Sequence, residues 1–281
     1  MKVMVIGLGY WGSKILDRLA AVMLQEDIYI ADTSEQARLV AIHRHQMQGS
    51  ETRVFEDYNA ALQGYHEIDA CIVATPIPTH YQIARACLEA GKHVLVEKPM
   101  AKTAAEAGEL LALANRRNLT LLTDLTFLYD KRIGQLAGET FTRMKWWGPQ
   151  SPRSQDSILW TWGPHPVSLM LWSRKRMPVS VRGYLQSDFA DLVYEFDTTG
   201  HVVRIMMGWG TISSQRAVYY LQPGLYDRKI DLVAVPDPEP LMGALLTFMA
   251  RAQHGDVAPD FIGKETVEVL EWTERKLSES H

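Results

Sequence analysis

Only two of the 281 residues are cysteine, at positions 71 and 87. They form neither a metal-ligand spacing nor a disulfide framework. With Cys71 in an apolar run and Cys87 in a helical pattern, they read as reduced core thiols, and no metal site is expected. No apolar run approaches the ~20 residues of a membrane span. The N-terminus lacks the charged, apolar and small-residue order of a signal peptide, so the chain is expected to be cytoplasmic and to have no membrane partner. A basic excess is missing too. The formal net charge is −4, with acids and bases interspersed, and this gives none of the stripe that nucleic acid or anionic lipid requires. Small molecules are therefore the expected partners. There is no repeat and no low-complexity segment. What remains is an ordinary globular composition, 47% hydrophobic and 22% charged, long enough for two modest cores.

The first 124 residues alternate short aliphatic runs with longer amphipathic stretches, the pattern of parallel strands joined by crossover helices. Strands are predicted at Val3–Ile6, Ile28–Ala31, Ala70–Ala74, His93–Val96 and Thr120–Thr123. Helices are predicted at Trp11–Leu24, Ser34–His45, Thr79–Ala90 and Thr103–Arg117, the last opened by a capping box of Thr103 and Glu106. After Leu125 the runs "SVRGYLQS", "DLVYEFD", "HVVRIMMGW" and "RAVYYLQ" read as antiparallel strands with one wet face. The expected organisation is thus two domains, residues 1–124 and 125–281. In the second, "DTTG" is expected to be a hairpin turn and "GPQSPRSQDS" a loop. The run "ILWTWGPHPVSLMLW" reads as helix-like and mostly core, and two closing helices are expected at Pro240–Gln253 and Lys264–Leu277.

"VMVIGLGYWG" places Gly7, Gly9 and Gly12 as G-x-G-x-x-G between the first strand and the first helix. Alone the triplet is weak; here strand, glycines, helix and a second strand ending in Asp32 occur in the order a dinucleotide site needs. Gly7 permits the tight turn, Gly9 lets backbone N–H groups approach a pyrophosphate, and Gly12 lets helix and strand pack closely. The helix N-terminus then holds the anion. Tyr10 and Trp11, between these glycines, are counted with the cofactor-binding residues. Asp32 suits the two hydroxyls of an adenine ribose and would repel a 2′-phosphate by about 4 kcal/mol at ~4 Å with an effective dielectric near ~20. NAD is accordingly expected over NADP, with Arg38 as the residue that could reach a phosphate instead.

Taken together, "GLGYWG", "DACIVATPIPTHYQIARACLEAGKHVLVEKPMAKTAAEA" and "GPHPVSLMLW" resemble the Gfo/Idh/MocA oxidoreductases, named for glucose-fructose oxidoreductase and inositol dehydrogenase. The likeness is nearly continuous over residues 1–124 and thins afterwards to "LTFLYD" and the tryptophan-rich helix. It implies a Rossmann domain with a doubly wound parallel sheet, followed by an α/β domain, shortened here, on a mainly antiparallel sheet. It also implies NAD or NADP as cofactor and hydride transfer to or from a hydroxyl or keto carbon of a sugar-like or other polar small metabolite.

The resemblance further implies that "EKP", Glu97 to Pro99, closes one wall of the active site. Lys98 then donates or accepts the proton that accompanies hydride transfer, Glu97 orients the lysine or a backbone group, and Pro99 fixes the turn, with a cis bond as one option. An ordinary lysine is a poor base at neutral pH, so this role requires burial and a neighbouring positive charge to lower its pKa to about 7–8. Thr75 and Pro76 are expected to run along the cofactor through their backbone. His80 is expected either to cover the nicotinamide ribose or to serve as a plain helix-start residue. His165 is the expected substrate-binding or proton-sharing histidine, aimed out of the apolar stretch by a short turn of Gly163, Pro164 and Pro166.

Relatives usually carry an aspartate four residues before that histidine, and many carry another directly after it; this chain has Thr161 and Pro166 there. Tyr129 is expected to supply part of the missing polarity. A changed substrate follows, or, in alternative readings, a glycosidase-type enzyme using transient oxidation or a nucleotide-binding protein with weakened catalysis. The short second domain is expected to leave an apolar sheet face, covered in a homodimer or higher oligomer.

Overall fold

The computed structural model describes residues 1–47, 53–136, 140–148, 156–197, 201–209, 214–221, 228–232, 239–257 and 260–279. Two compact units emerge, Met1–Asp124 with Leu241–Phe261, and Leu125–Pro240 with Ile262–His281.

The first unit holds six parallel strands, β1 (Val3–Ile6), β2 (Ile28–Ala31), β3 (Val54–Phe55), β4 (Ala70–Val73), β5 (His93–Glu97) and β6 (Leu121–Asp124), in the order β3-β2-β1-β4-β5-β6. Every residue of β1, β2 and β4 is buried. Unbroken aliphatic runs are what a parallel sheet covered on both faces requires. Between the strands run α1 (Tyr10–Ala20), α2 (Glu35–Arg44), α3 (Tyr58–Gly64), α4 (His80–Glu89) and α5 (Ala104–Arg117). The Thr103–Glu106 capping box forms as expected, and Asn118 closes α5 in the left-handed region at φ 57°. α1 is shorter than its pattern: it stops at Ala20, and the apolar Val22 and Leu24 beyond it lie exposed. β3 and α3 were not legible as elements, since a two-residue strand and a seven-residue helix carry too little periodicity. Strand order reverses between β1 and β4, which opens the crevice at the carboxyl ends of the strands where such folds bind ligands.

The second unit is built on β7 (Thr140–Gly148), β8 (Ser180–Leu185), β9 (Phe189–Glu195), β10 (Val202–Trp209), β11 (Gln215–Leu221) and β12 (Arg228–Asp231), ordered β12-β11-β7-β10-β9-β8. Among the described residues only β7 and β10 pair in parallel, and the other pairs are antiparallel. Its helices are α6 (Lys131–Gly134), α7 (Ile158–Thr161), α8 (Pro164–Arg174), α9 (Glu239–His254), which from Leu241 onward groups with the first unit, and α10 (Phe261–Ser278). Leu241, Leu245 and Phe248 of α9 join the core of Val3, Val5, Leu16 and Ile30. Alternate residues of β9 and β10 are buried. Among them the Tyr194 hydroxyl bonds Thr273 Oγ1 of α10 at 3.0 Å.

β7 and β12 went unread in the sequence. The turn expected at "DTTG" and most of the loop expected at "GPQSPRSQDS" lie outside the described residues. One local expectation changes: Pro164, His165 and Pro166 form the first turn of α8 rather than a short irregular turn. Prolines fit there because the first helical N–H groups have no intrahelical partner.

Candidate active site

The glycines after β1 do three different things. Gly7 sits at φ +90°, and a Cβ there would lie 2.7 Å from the Ala74 carbonyl oxygen. At Gly12 a Cβ would come within 1.8 Å of the Gly7 oxygen, so only glycine lets α1 start this close to the strand end. Gly9 is the reverse case: nothing lies within 4 Å of its would-be Cβ. It is the N-cap of α1 and brings no capping side chain, and the first turn contains no acidic residue. The start of α1 thus has open space at Gly9, no capping side chain and the positive end of the helix, a setting that fits a pyrophosphate. Tyr10 and Trp11 border this opening, 64% and 38% exposed, with their rings edge to face and Lys14 Nζ 4.3 and 4.8 Å from the two centroids.

Asp32 follows β2 and is held by two backbone donors: Leu8 N–H to Oδ2 at 2.6 Å and Ser34 N–H to Oδ1 at 2.7 Å. A carboxylate has about four lone-pair sites, so the fixed group retains acceptors for two ribose hydroxyls. Arg38, the alternative phosphate ligand, donates from Nη1 to the Asp32 carbonyl at 2.6 Å and lies 3.9 Å from Glu56. These residues fit NAD.

Next to the cradle, β4 leads into Thr75 and Pro76. Thr79 Oγ1 donates to Thr75 Oγ1 at 2.8 Å and Pro76 is exposed. His80 is 1% exposed. Its Nδ1 meets the Pro99 carbonyl and its Nε2 the Thr75 carbonyl, each at 2.8 Å. The ring thus pins the loop after β4 to the loop after β5, a part that sequence reasoning had not assigned it.

β5 ends in Glu97, and half-buried Lys98 follows, joined to Pro99 by a cis peptide bond. The Lys98 backbone N–H donates to Glu97 Oε2 at 3.2 Å, so Glu97 does bind a backbone group here. Asp124, which sequence reasoning missed, stands directly beside Glu97 as its partner in the β5–β6 register. The signal was present, since both neighbouring aliphatic strands end on an acid. Burial, reinforced by the negative charge of Asp124, pushes the Glu97 carboxyl well above the usual range.

In the second unit, half-buried His165 lies between aromatic rings: Phe127 edge-on at 4.9 Å and Trp146 stacked at 6.2 Å. Phe127 also meets Trp146 at 5.1 Å, and the Arg216 guanidinium lies 5.9 Å from the Phe127 centroid. Tyr129 closes the 3₁₀ turn Thr126–Tyr129 that carries Phe127. Thr161, where an orienting acid was looked for, donates to the Asp156 carbonyl at 3.3 Å, and Pro166 is buried. Phe127 and Trp146 were not singled out in the sequence, because aromatic residues in an apolar setting look like core.

Residues 1–125 match a family described as an oxidoreductase family with an NAD-binding Rossmann fold. Among curated proteins, the UDP-N-acetylglucosamine 3-dehydrogenase of Acidithiobacillus ferrooxidans is 28% identical over 188 residues, 65% of this chain and 57% of that relative. The match thus spans little more than half of the relative's length. Among solved structures, a probable dehydrogenase from Thermotoga maritima superposes with a TM-score of 0.82 at 17% identity, covering 100% of this chain and 98% of that one. GenD2 from gentamicin A biosynthesis, solved in complex with NAD, gives 0.80 at 21% identity, covering 100% and 95%. At these identities the likeness is one of fold.

Proposed function

We propose, for a chain whose residues 1–125 match the model of the Gfo/Idh/MocA oxidoreductases, an NAD-dependent dehydrogenase or reductase that moves hydride to or from a hydroxyl or keto carbon of a sugar-like metabolite. The observation that carries this reading is the position of Lys98. It is a half-buried lysine at the carboxyl end of β5, in the same parallel sheet whose β1 and β2 ends present the glycine cradle and Asp32. A protein that only held a dinucleotide has no chemical need for it.

NAD, when bound, supplies the hydride acceptor or, reduced, the donor. The chain's own groups do the rest. The N–H groups at the start of α1 bind the pyrophosphate and Asp32 the adenine ribose. Thr75 and Pro76 line the cofactor's path. Lys98 takes the hydroxyl proton as hydride leaves the carbinol carbon, or returns it to the alkoxide in reduction, within the general acid–base range. In the second unit, His165 hydrogen-bonds the substrate from its aromatic setting, with Tyr129 adding a phenol. A nucleotide sugar is a fitting substrate class, given the named activity of the Acidithiobacillus relative. The test is whether such compounds reduce NAD, followed at the nicotinamide absorbance.

Cofactor choice gives a sharper expectation. NADH should bind more tightly than NADPH, and Asp32→Ala should shrink the difference, both read by fluorescence titration. NADPH binding tenfold tighter, about 1.4 kcal/mol the other way, would move the ribose role from Asp32 to Arg38.

The missing acid near His165 gives another. Thr161→Asp should change turnover or substrate range while NADH affinity stays within about twofold, since the cradle is untouched. Unchanged turnover on every substrate, or lost NADH binding in a folded variant, would remove Thr161 from the substrate side.

A further inference from the structure

We propose that Glu97 and Asp124 are positioning residues for Lys98, and that they hold one proton between their carboxyls so that the lysine faces one negative charge instead of two. The proposal rests, for its purpose, on the reading of Lys98 as proton carrier; the shared proton itself stands independently of that reading.

The geometry leaves little choice. Glu97 and Asp124 are the last residues of adjoining parallel strands and are partners in register. Their backbones are therefore about 4.8 Å apart. Glu97 is 8% exposed and Asp124 1%. Two carboxylates this close and this dry do not both ionise, and the pair titrates as a unit. Burial acts first on Glu97, then the charge of Asp124, and the hydrogen bond between the two side chains works in the same direction; the Lys98 ammonium and the Lys98 backbone N–H work against them. The balance leaves the proton on Glu97, donated to Asp124. Two other polar side chains beside the turn are engaged elsewhere. On α4, His80 holds the Pro99 carbonyl, and Asp260 accepts the Thr123 N–H at 2.6 Å.

The consequence bears on Lys98. A lysine that must lose its proton to act as a base is hindered by every neighbouring anion. Two ionised carboxylates would hold its proton firmly. A shared proton keeps a hydrogen-bonded clamp on the backbone of Lys98 at half that charge, and it places the remaining charge on Asp124 rather than on the residue next to the lysine.

Infrared difference spectra of the cofactor-free protein at neutral pH test the shared proton. Wild type minus Glu97→Gln should show the C=O stretch of a protonated carboxyl, shifted in D2O. The consequence for Lys98 is read by NMR titration of protein labelled at lysine Cε, the signal being assigned with Lys98→Met. Glutamine imitates the protonated glutamate, so Glu97→Gln should leave the Lys98 titration within a few tenths of a pH unit. Asp124→Asn should move it up by about half to one unit, because the charge then settles on Glu97. Absence of the carboxyl band, or a downward shift of the Lys98 titration in Glu97→Gln by about half a unit or more, as loss of a second negative charge would cause, overturns the proposal. Should Asp124→Asn fail to fold, the band and the Glu97→Gln titration still decide it. None of these readouts needs turnover, so loss of the enzyme reading would be visible separately.

Discussion

Lys98→Ala should lower turnover by roughly a hundred- to ten-thousand-fold, the usual contribution of a positioned general acid or base, while NADH affinity changes little. The lysine follows β5 and is half-buried. The N–H groups proposed to receive the pyrophosphate belong to the start of α1 and are unaffected by its loss. Lys98→Met keeps the length and apolar stem of the side chain and removes only the charge and the exchangeable proton, so it should fall as far as alanine. In the direction of alcohol oxidation the lysine must be neutral to accept the proton. The wild-type rate should therefore rise with pH along a limb that both variants lose. Near-normal turnover in both would reduce Lys98 to a structural residue.

The glycine cradle gives the second large effect, and it separates packing from binding. Gly12→Ala forces a methyl to within 1.8 Å of the Gly7 carbonyl oxygen and 2.8 Å of its carbon, backbone atoms that cannot step aside. Overpacking of this kind costs about 1–3 kcal/mol. In a chain of this size that amounts to a fall in Tm of several degrees, together with loss of NADH binding because α1 must back away from β1. Gly9→Ala meets no protein atom within 4 Å, so its melting temperature should match wild type. NADH affinity should nevertheless drop by at least tenfold, about 1.4 kcal/mol, since the methyl occupies the space where the pyrophosphate approaches. Unaltered NADH binding in a stable Gly9→Ala protein would place the cofactor elsewhere.

The first unit was legible because its signals are local. A buried parallel strand is a continuous aliphatic run and a crossover helix has a 3.6-residue period, so β1, β2, β4, β5 and β6 lie within a residue or so of where the pattern puts them. β7 was missed although it is central to the second sheet. Its buried residues Phe141, Met144 and Trp146 change phase along the strand. The pairing with β11 shows why. Tyr219 faces Arg143 while Tyr220 faces Phe141, a bulge at Thr142 that breaks the alternation a reader looks for. The run carrying His165 was read as helix-like, but the start of its helix was misjudged, since two prolines in three residues suggest a turn except at a helix start.

The candidate site divides the same way. The glycines and Asp32 were picked out by spacing, and Lys98 by the family resemblance of "EKP". Asp124 could not be, because its importance comes from standing beside Glu97 across two strands, 27 positions away in the chain. His80 was noticed but its task was not. Its two carbonyl contacts join loops that only the folded sheet brings together.

Incubation of the protein with NAD and a panel of sugars, cyclitols and nucleotide sugars, followed at the nicotinamide absorbance, tests the central claim most directly. The account predicts reduction of NAD by at least one of these compounds, at a rate abolished in a Lys98→Ala protein that still binds NADH. Saturable NADH binding with no reduction of NAD by any of them, and no oxidation of NADH by their keto forms, would contradict it and leave a dinucleotide-binding protein without hydride chemistry.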